Sequence, residues 1–296
     1  MKFLTAFFSV CFLIAILAVG AVSYWGVQQY RAAGPLEKET VFKVEKGWGT
    51  IQIAGKLAQK NIISNPHVFR AAYHILHQGK TLKAGTYKFK PRQTMEAVFK
   101  KIEAGDVYTG SITIAEGLTS WQTVRLLNKT FGDKTTTIPP EGSFLPETYQ
   151  YAYDGTEDSS AFILGRMKKA MVVALDDLWE SRAENLPLKS KEEALILASI
   201  VEKETGVGLE RKKVAGVFIN RLRKGMMLQT DPTVIYAMTK GQVEMKGQGP
   251  IGRRLLRKDL DLDSPYNTYK YAGLPPGPIA NPGYASIAAV LQPDDH

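Results

Sequence analysis

The segment Ser190 to Gly206, SKEEALILASIVEKETG, constrains the fold most, because it runs two carboxylates into the end of an almost wholly apolar stretch. Ser190 followed three residues later by Glu193 has the form of a capping box and predicts a helix start there. Ala194, Leu195, Ile196, Leu197, Ala198, Ile200 and Val201 then cover most of the cylinder, and a helix apolar nearly all round is a buried one. At roughly 100° per residue, Leu195 and Ala198 share a side with Glu202, whereas Leu197, Ile200 and Val201 lie nearer Glu204. Spacing therefore does not choose between the two acids. Gly206 and Gly208 supply the stop. Desolvation at the end of such a helix favours the protonated carboxyl, the form that a general acid needs. The competing reading is a solvated helix end on which Glu202 and Glu204 pair with Lys203, Arg211 or Lys212.

Compartment follows from the other end of the chain. From Phe3 to Trp25 there is no charged side chain, and the run is rich in Phe, Leu, Ile, Val and Ala, which meets the roughly 20-residue length of a membrane span. Tyr24, Trp25 and Tyr30 sit where an interfacial aromatic belt would be. A cleaved signal peptide is the alternative, with Ala18-Val19-Gly20 and Ala21-Val22-Ser23 as small-residue triplets, but the run exceeds a usual signal core and predicts a retained anchor over residues 1–30. Lys2 places the short end in the cytoplasm. The single cysteine, Cys11, lies inside the span, so no intrachain disulfide forms. The net charge of +9 over 296 residues suits an anionic partner, such as acidic lipid or an anionic wall polymer. Nucleic acid is a poor fit, since no arginine-rich run with interleaved aromatics and no zinc-finger spacing occurs.

Residues 31–39 read as a short polar linker around Gly34 and Pro35. A small domain follows over 40–107: a strand at Val41 to Glu45, a helix from Thr50 to Gln59 closed by Asn61, a second helix opened by Asn65-Pro66 and running to about His77, a strand from Leu82 to Phe89, and a helix from Thr94 to Glu103. Strand, helix, helix, strand resembles a LysM-like carbohydrate-binding fold. His67, His74 and His77 fall on or beside the second helix, and with no neighbouring carboxylate or cysteine in sequence they read as surface residues, not metal ligands.

The remaining residues, 108–296, predict a mixed α/β domain, so the fold class is α+β throughout. A strand from Ser111 to Ala115 turns at Glu116-Gly117 into a helix from Thr119 to Asn128, and Pro139-Pro140-Glu141-Gly142 breaks the chain. The segment Ser143 to Tyr149 reads as an aromatic and acidic loop. Ser160 to Ala183 and Leu209 to Lys224 carry apolar stripes of amphipathic helices. Asp231-Pro232 has the order of an N-cap followed by the first helical residue. Lys240 to Asp263 is polar, basic and without period, and reads as a mobile insertion. The proline- and glycine-rich Gly273 to Ile279 makes a rigid shaped loop before a last helix near Tyr284 to Leu291.

Tyr, Asn, Thr and Gln on rigid loops around one desolvated acid suit a polysaccharide cleft. No Gly-x-Ser-x-Gly, no credible cysteine and histidine pair and no phosphate-cradling glycine loop occurs, and the histidines are too few for metal hydrolysis, so neither metal nor cofactor is expected. Ordinary glycoside hydrolysis uses two carboxylates. A single acid suffices where the substrate supplies its own nucleophile.

ASIVEKET (Ala198 to Thr205), VFINRL (Val217 to Leu222), LQTDPTVIYA (Leu228 to Ala237), YNTY (Tyr266 to Tyr269) and GLPPGPI (Gly273 to Ile279), in that order, resemble the MltG-type endolytic murein transglycosylases, the YceG-like family. The resemblance covers the whole chain. It implies cleavage of the bond between N-acetylmuramic acid and N-acetylglucosamine in nascent peptidoglycan strands, without water and with an anhydro product. It further implies Glu202 as the catalytic acid and then base, with Glu204 in support and Gln229, Asp231, Thr233, Tyr236, Tyr266, Asn267, Thr268 and Tyr269 shaping the substrate groove. The expected setting is a single-pass protein of the cytoplasmic membrane, N-terminus inside and catalytic domain outside, with peptidoglycan strands and cell-wall synthases as partners. The chain stops soon after its last helix, where relatives usually continue, and the basic stretch around Arg253, Arg254, Arg257 and Lys258 is longer than the family leads one to expect. A non-catalytic wall-binding scaffold and a hydrolytic muramidase are the competing functions.

Overall fold

A computed structural model describes residues 2–77, 79–153, 158–242 and 251–294. The architecture mixes helices with two small sheets behind one N-terminal apolar helix. Two compact units divide the chain, Met1–Gly110 with Ala152–Asp154, and Ser111–Tyr151 with Gly155–His296.

In the first unit, α1 (Lys2–Arg31) contains a stretch, Phe7–Arg31, long and apolar enough to cross a bilayer, with an 18-residue window of mean hydropathy 2.3 that is unburied, while Tyr30 near its end is buried. There follow β1 (Thr40–Val44), α2 (Thr50–Gln59), α3 (Pro66–Leu76), β2 (Gly85–Phe89) and α4 (Met95–Ala104). β1 and β2 pair antiparallel, with Phe42 opposite Tyr87. Local chemistry fixes the helix starts. Asn65 Oδ1 accepts from the amides of His67 at 2.8 Å and Val68 at 3.2 Å, and Thr94 Oγ1 accepts from Ala97 N at 3.2 Å. Ile53, Leu57, Phe69, Phe89, Phe99 and Ile102 are fully enclosed and form the core.

Two expectations change here. β2 begins at Gly85, not Leu82, because Lys83 N turns away to Ile102 O at 3.2 Å. His67 and His74 are surface residues, but His77 is not: its ring stacks on Phe99 at 4.0 Å, its Nδ1 lies 2.8 Å from Glu103, and its Nε2 meets the hydroxyl of buried Tyr30 at 3.1 Å. The carboxylate absent from the local sequence arrives from α4.

The second unit opens within β3 (Thr109–Thr113) and continues through α5 (Ser120–Phe131), β4 (Thr148–Ala152), α6 (Ser160–Glu180), α7 (Lys191–Glu204), α8 (Arg211–Arg223), α9 (Asp231–Thr239) and α10 (Tyr284–Leu291). β3 and β4 form the second two-stranded sheet, so the loop expected over Ser143 to Tyr149 ends as a strand. The Leu209 to Lys224 helix is preceded by a separate 3₁₀ turn, Gly208–Glu210, and α9 takes Thr230, not Asp231, as its N-cap. Within Lys240 to Asp263, residues 243–250 lie outside the described residues. The rest is built, with a 3₁₀ turn at Arg257–Asp261. Arg253 forks onto Asp259 at 2.6 and 2.9 Å, and this hydrogen bonding, followed by the Leu256 amide, holds the Asp259 carboxyl down at about 2.

α7 is the axis of this unit, packed by α6, α8, α9 and α10. Ala194, Leu197, Ala198, Ile200 and Val201 are all 0% exposed, as the apolar run requires. Ser190 caps the helix, accepting from Glu193 N at 3.3 Å, while the Glu193 carboxylate takes Lys189 N at 2.6 Å, one residue earlier than a capping box. The one polar residue inside the run is Ser199, fully buried. Its Oγ donates to Ile196 O at 2.7 Å and accepts Ile279 N at 3.0 Å, fastening the proline-rich loop to α7. Ser199→Ala leaves the buried Ile279 amide unpaired, and about 1–3 kcal/mol of stability should be lost, read as a lowered midpoint in chemical denaturation. An unchanged midpoint would contradict the clamp.

Candidate active site

Glu202 sits one helical step after the buried run, with its side chain 5% exposed. A charge so enclosed requires partners. Gly283, the residue before α10, donates its amide to Glu202 Oε2 at 2.9 Å, and Arg211 Nη2, from the first residue of α8, stands 3.6 Å from Oε1. The same guanidinium binds Glu116 Oε2 at 2.9 Å. Burial first, then the Glu202 charge, pushes the Glu116 carboxyl up, and Arg211 works against both. Nε of Arg211 is buried and unpartnered among the described residues.

Close approach explains the glycines. A Cβ on Gly283 would fall 1.9 Å from Glu116 Oε1, so no other residue fits without displacing that carboxylate. Gly117 has a φ of +73°, and a Cβ there would stand 3.4 Å from Glu202 Cγ. Asn281, 1% exposed, ties the turn in place: its Nδ2 donates to Leu118 O at 3.0 Å, its Oδ1 accepts Phe144 N at 3.1 Å, and its carbonyl accepts Gly117 N at 3.0 Å.

A further acid belongs to the same neighbourhood. Glu141 Oε2 accepts Ser120 N, at the start of α5, at 2.7 Å. Burial raises its carboxyl to about 7, against the lowering effects of the Ser120 hydrogen bonds and of the Lys203 charge. Lys203 donates to Gly117 O at 3.2 Å; desolvation lowers its ammonium, opposed by the charges of Glu202 and Glu141. Sequence reasoning took Glu141 for part of a chain break and Glu116 for part of a turn. The only signal available was an acid beside Gly in each case.

Glu204 is exposed and its Oε2 accepts Thr230 Oγ1 at 2.8 Å. The motif residues divide by burial. Thr233, Asn267 and Thr268 are enclosed and spend their hydrogen bonds internally: Thr233 with Thr268 at 2.8 Å, Asn267 Nδ2 with Leu260 O at 2.8 Å and Leu262 O at 2.7 Å. Gln229 is exposed at φ 51°, a left-handed conformation in which its amide donates to Thr268 O at 3.1 Å. Tyr269 donates to Asp231 Oδ1 at 2.6 Å, and burial, followed by that carboxylate, pushes its hydroxyl up to about 12. The half-buried rings of Tyr236 and Tyr266 lie 4.9 Å apart, and the Glu141 charge acts on both. The chemistry offered is proton transfer by enclosed carboxyls beside two cations and an aromatic pair. Among the described residues no group of three His, Cys, Asp or Glu side chains could hold a metal.

Gly283→Ala should lower the melting temperature and break the Glu116–Arg211 pair, and adding Glu116→Ala to it should return part of the loss. Additive effects of the two changes would count against the overlap. For Glu141 the sign is that of a raised carboxyl. Its contribution to stability is present below the ordinary value of 4.5 and is lost as pH rises through about 7. Melting temperatures of Glu141→Gln should therefore gain on the parent as pH is raised from about 5 to about 8. A constant difference would refute the assignment.

Comparison with known proteins gives this geometry its family. The sequence profile of the YceG-like family matches residues 42–296. An endolytic murein transglycosylase of Bacillus subtilis strain 168 is 31% identical over 94% of this chain and 82% of its own length. Proteins of the same description from Streptococcus pneumoniae are 25% identical over 96% of this chain, which spans 58% of their length. A crystal structure of a yceG-like protein from Listeria monocytogenes aligns with a TM-score of 0.50 and 32% identity, over 88% of this chain and 91% of that one. The chain belongs to the YceG-like family.

Proposed function

We propose that the protein is a membrane-anchored peptidoglycan lytic transglycosylase, a lyase that cuts the β-1,4 bond between N-acetylmuramic acid and N-acetylglucosamine within a strand and leaves a 1,6-anhydromuramoyl end. The observation that carries this reading is the Glu202 carboxyl, enclosed at the end of a buried helix and oriented by the Gly283 amide. The curated relatives named endolytic murein transglycosylases support it. As general acid, Glu202 passes its proton to the glycosidic oxygen while the bond from that oxygen to C1 breaks, so the leaving N-acetylglucosamine regains its hydroxyl. As base, Glu202 then takes the proton of the muramic C6 hydroxyl, whose oxygen closes on C1. Atoms balance with no water consumed.

Tyr236 and Tyr266 offer ring faces to the sugars; Gln229, Asp231, Tyr269 and Glu204 form the polar edge; Thr233, Asn267 and Thr268 hold the groove's shape from beneath. Residues 1–30 anchor the chain in the cytoplasmic membrane with the N-terminus inside, residues 40–107 act as a LysM-like wall-binding module, and residues 108–296 catalyse on the outer side. Nascent strands as substrate make cell-wall synthases the natural neighbours.

Glu202→Gln should fold normally and lose activity by about two orders of magnitude or more, as removal of a general acid does. Mass spectrometry of products from purified glycan strands supplies the check. Anhydro ends support the proposal, reducing ends would make the enzyme a hydrolytic muramidase, and uncut strands would leave a binding scaffold. Near-normal turnover in Glu202→Gln with loss in Glu204→Gln would move the role to the neighbouring acid.

A further inference from the structure

Both ends of α3 are tied to one level of α1. Ser64, two residues before α3, donates its hydroxyl to Gln29 Oε1 at 3.3 Å, and Nε2 of His77, the residue after it, meets the Tyr30 hydroxyl at 3.1 Å. A helix of 11 residues is about 16 Å long, so one whose two ends reach neighbouring residues of α1 lies across it, not along it. The segment that follows α1 is clamped as well. Gly34 donates its amide to Arg92 O at 3.3 Å and has Gln93 O where a Cβ would fall, Arg92 N donates to Leu36 O at 2.8 Å, and the Leu36 side chain is buried. The small domain therefore cannot swing freely about the end of the helix.

In the corner of this crossing lies an open groove of about 460 Å³, with α1 from Val22 to Tyr30 as one wall and α3 as the other. Val68, Ala71, Ala72, Ile75 and Leu76 supply the second wall, at the spacing of a single helix face. Ile75 and Leu76, at 76% and 61% exposed, are left without protein cover. Among the described residues that line the groove there is no Asp, Glu, Lys or Arg, so it offers nothing to hold a charged solute. Its position along α1 says what fills it. About 20 residues cross the hydrocarbon of a bilayer, so a span counted from Phe3 ends at Val22 and one counted from Phe7 ends at Gly26. Both counts put the edge of the hydrocarbon within the α1 wall of the groove, and Trp25, half exposed, stands at that level as an interfacial aromatic.

We propose that α3 is a second membrane-contact element of this chain. It lies in the headgroup layer with Ala71, Ile75 and Leu76 turned to the acyl chains, and the groove between α3 and α1 takes phospholipid tails of the leaflet from which α1 emerges. This rests on residues 1–30 being a retained anchor. The occupant is bilayer lipid because the groove is continuous with the lipid-facing surface of the span: its α1 wall is the outward end of the same exposed apolar helix. The crossing and the clamp at Gly34 then hold the small domain on the membrane surface, where a single flexible tether would leave it free to tumble.

Depth measurement by electron paramagnetic resonance tests this on the full-length protein in nanodiscs of phosphatidylglycerol and phosphatidylcholine. Cys11 is the single cysteine, so Cys11→Ser gives a background in which one nitroxide at a time is attached through Ile75→Cys, Leu76→Cys, Ile51→Cys or Phe12→Cys. All four positions are exposed, and an unchanged melting temperature shows that each labelled protein is folded. Labels at Ile75 and Leu76 should collide more often with oxygen, which concentrates in lipid, than with an aqueous nickel chelate. The order should reverse at Ile51, which is as exposed but lies on α2, away from the groove. Phe12, in mid-span, reports the anchor. Water-exposed labels at Ile75 and Leu76 with a lipid-exposed label at Phe12 overturn the inference and leave the anchor standing. Labels at Ile75 and Leu76 shielded from both quenchers overturn it too, since a second copy or another protein would then cover the stripe. A water-exposed label at Phe12 overturns the anchor reading itself, and the inference with it.

Discussion

An enclosed carboxylate must be given donors or surrender its charge, and the second unit is built around that demand at Glu202. Its amide donor belongs to Gly283, so the start of α10 must pass directly over the end of α7. Glu116 approaches from below so closely that Gly283 cannot carry a side chain. The loop leading into Gly283 must then be stiff. Its prolines restrict it, Ser199 grips Ile279, and Asn281 binds it to the Gly117 turn and to Phe144. Ser199 and Asn281 each carry hydrogen bonds to a distant segment of chain, which is what allows irregular backbone to be positioned as firmly as a helix.

Much of this frame was legible before any coordinates. The apolar run of α7 announces its own burial, and the signals at Asn65, Thr94 and Ser190 place three helix starts because capping is a local transaction between a side chain and the next few amides. What was not legible is what tertiary approach creates. Arg211 and Lys203 looked like a solvated helix end, yet one is drawn to Glu116, 95 residues away in sequence, and the other to Gly117, 86 away. His77 looked like a surface residue because Glu103 and Tyr30 meet it only after α1, α3 and α4 have packed. Glu141 gave no periodic signal at all, since its environment is made by α5, α7 and α9.

The motif residues that named the family carry two kinds of duty, and burial separates them. Thr233, Asn267 and Thr268 are consumed by internal hydrogen bonds, so their side chains are specified by the loop's own geometry. Gln229 shows the cost of that geometry: a non-glycine residue in the left-handed region is held there by the Thr268 carbonyl. Tyr236, Tyr266, Tyr269 and Asp231 keep part of their surface free, which is what contact with another molecule requires.

In the proposed reaction one acid serves alone, and the charges of the site bear on how. Three carboxyls, Glu116, Glu141 and Glu202, face two cations, Arg211 and Lys203. With every group ionised the cluster would hold one surplus negative charge in partly dehydrated surroundings, and the least costly relief is to keep one proton among the acids. At Glu141 burial raises the carboxyl to about 7, against the opposing Ser120 hydrogen bonds and Lys203 charge. Acid catalysis followed by base catalysis needs one mobile proton in the right place. A cluster one cation short of neutrality keeps such a proton at hand, with Arg211 set against both Glu202 and Glu116.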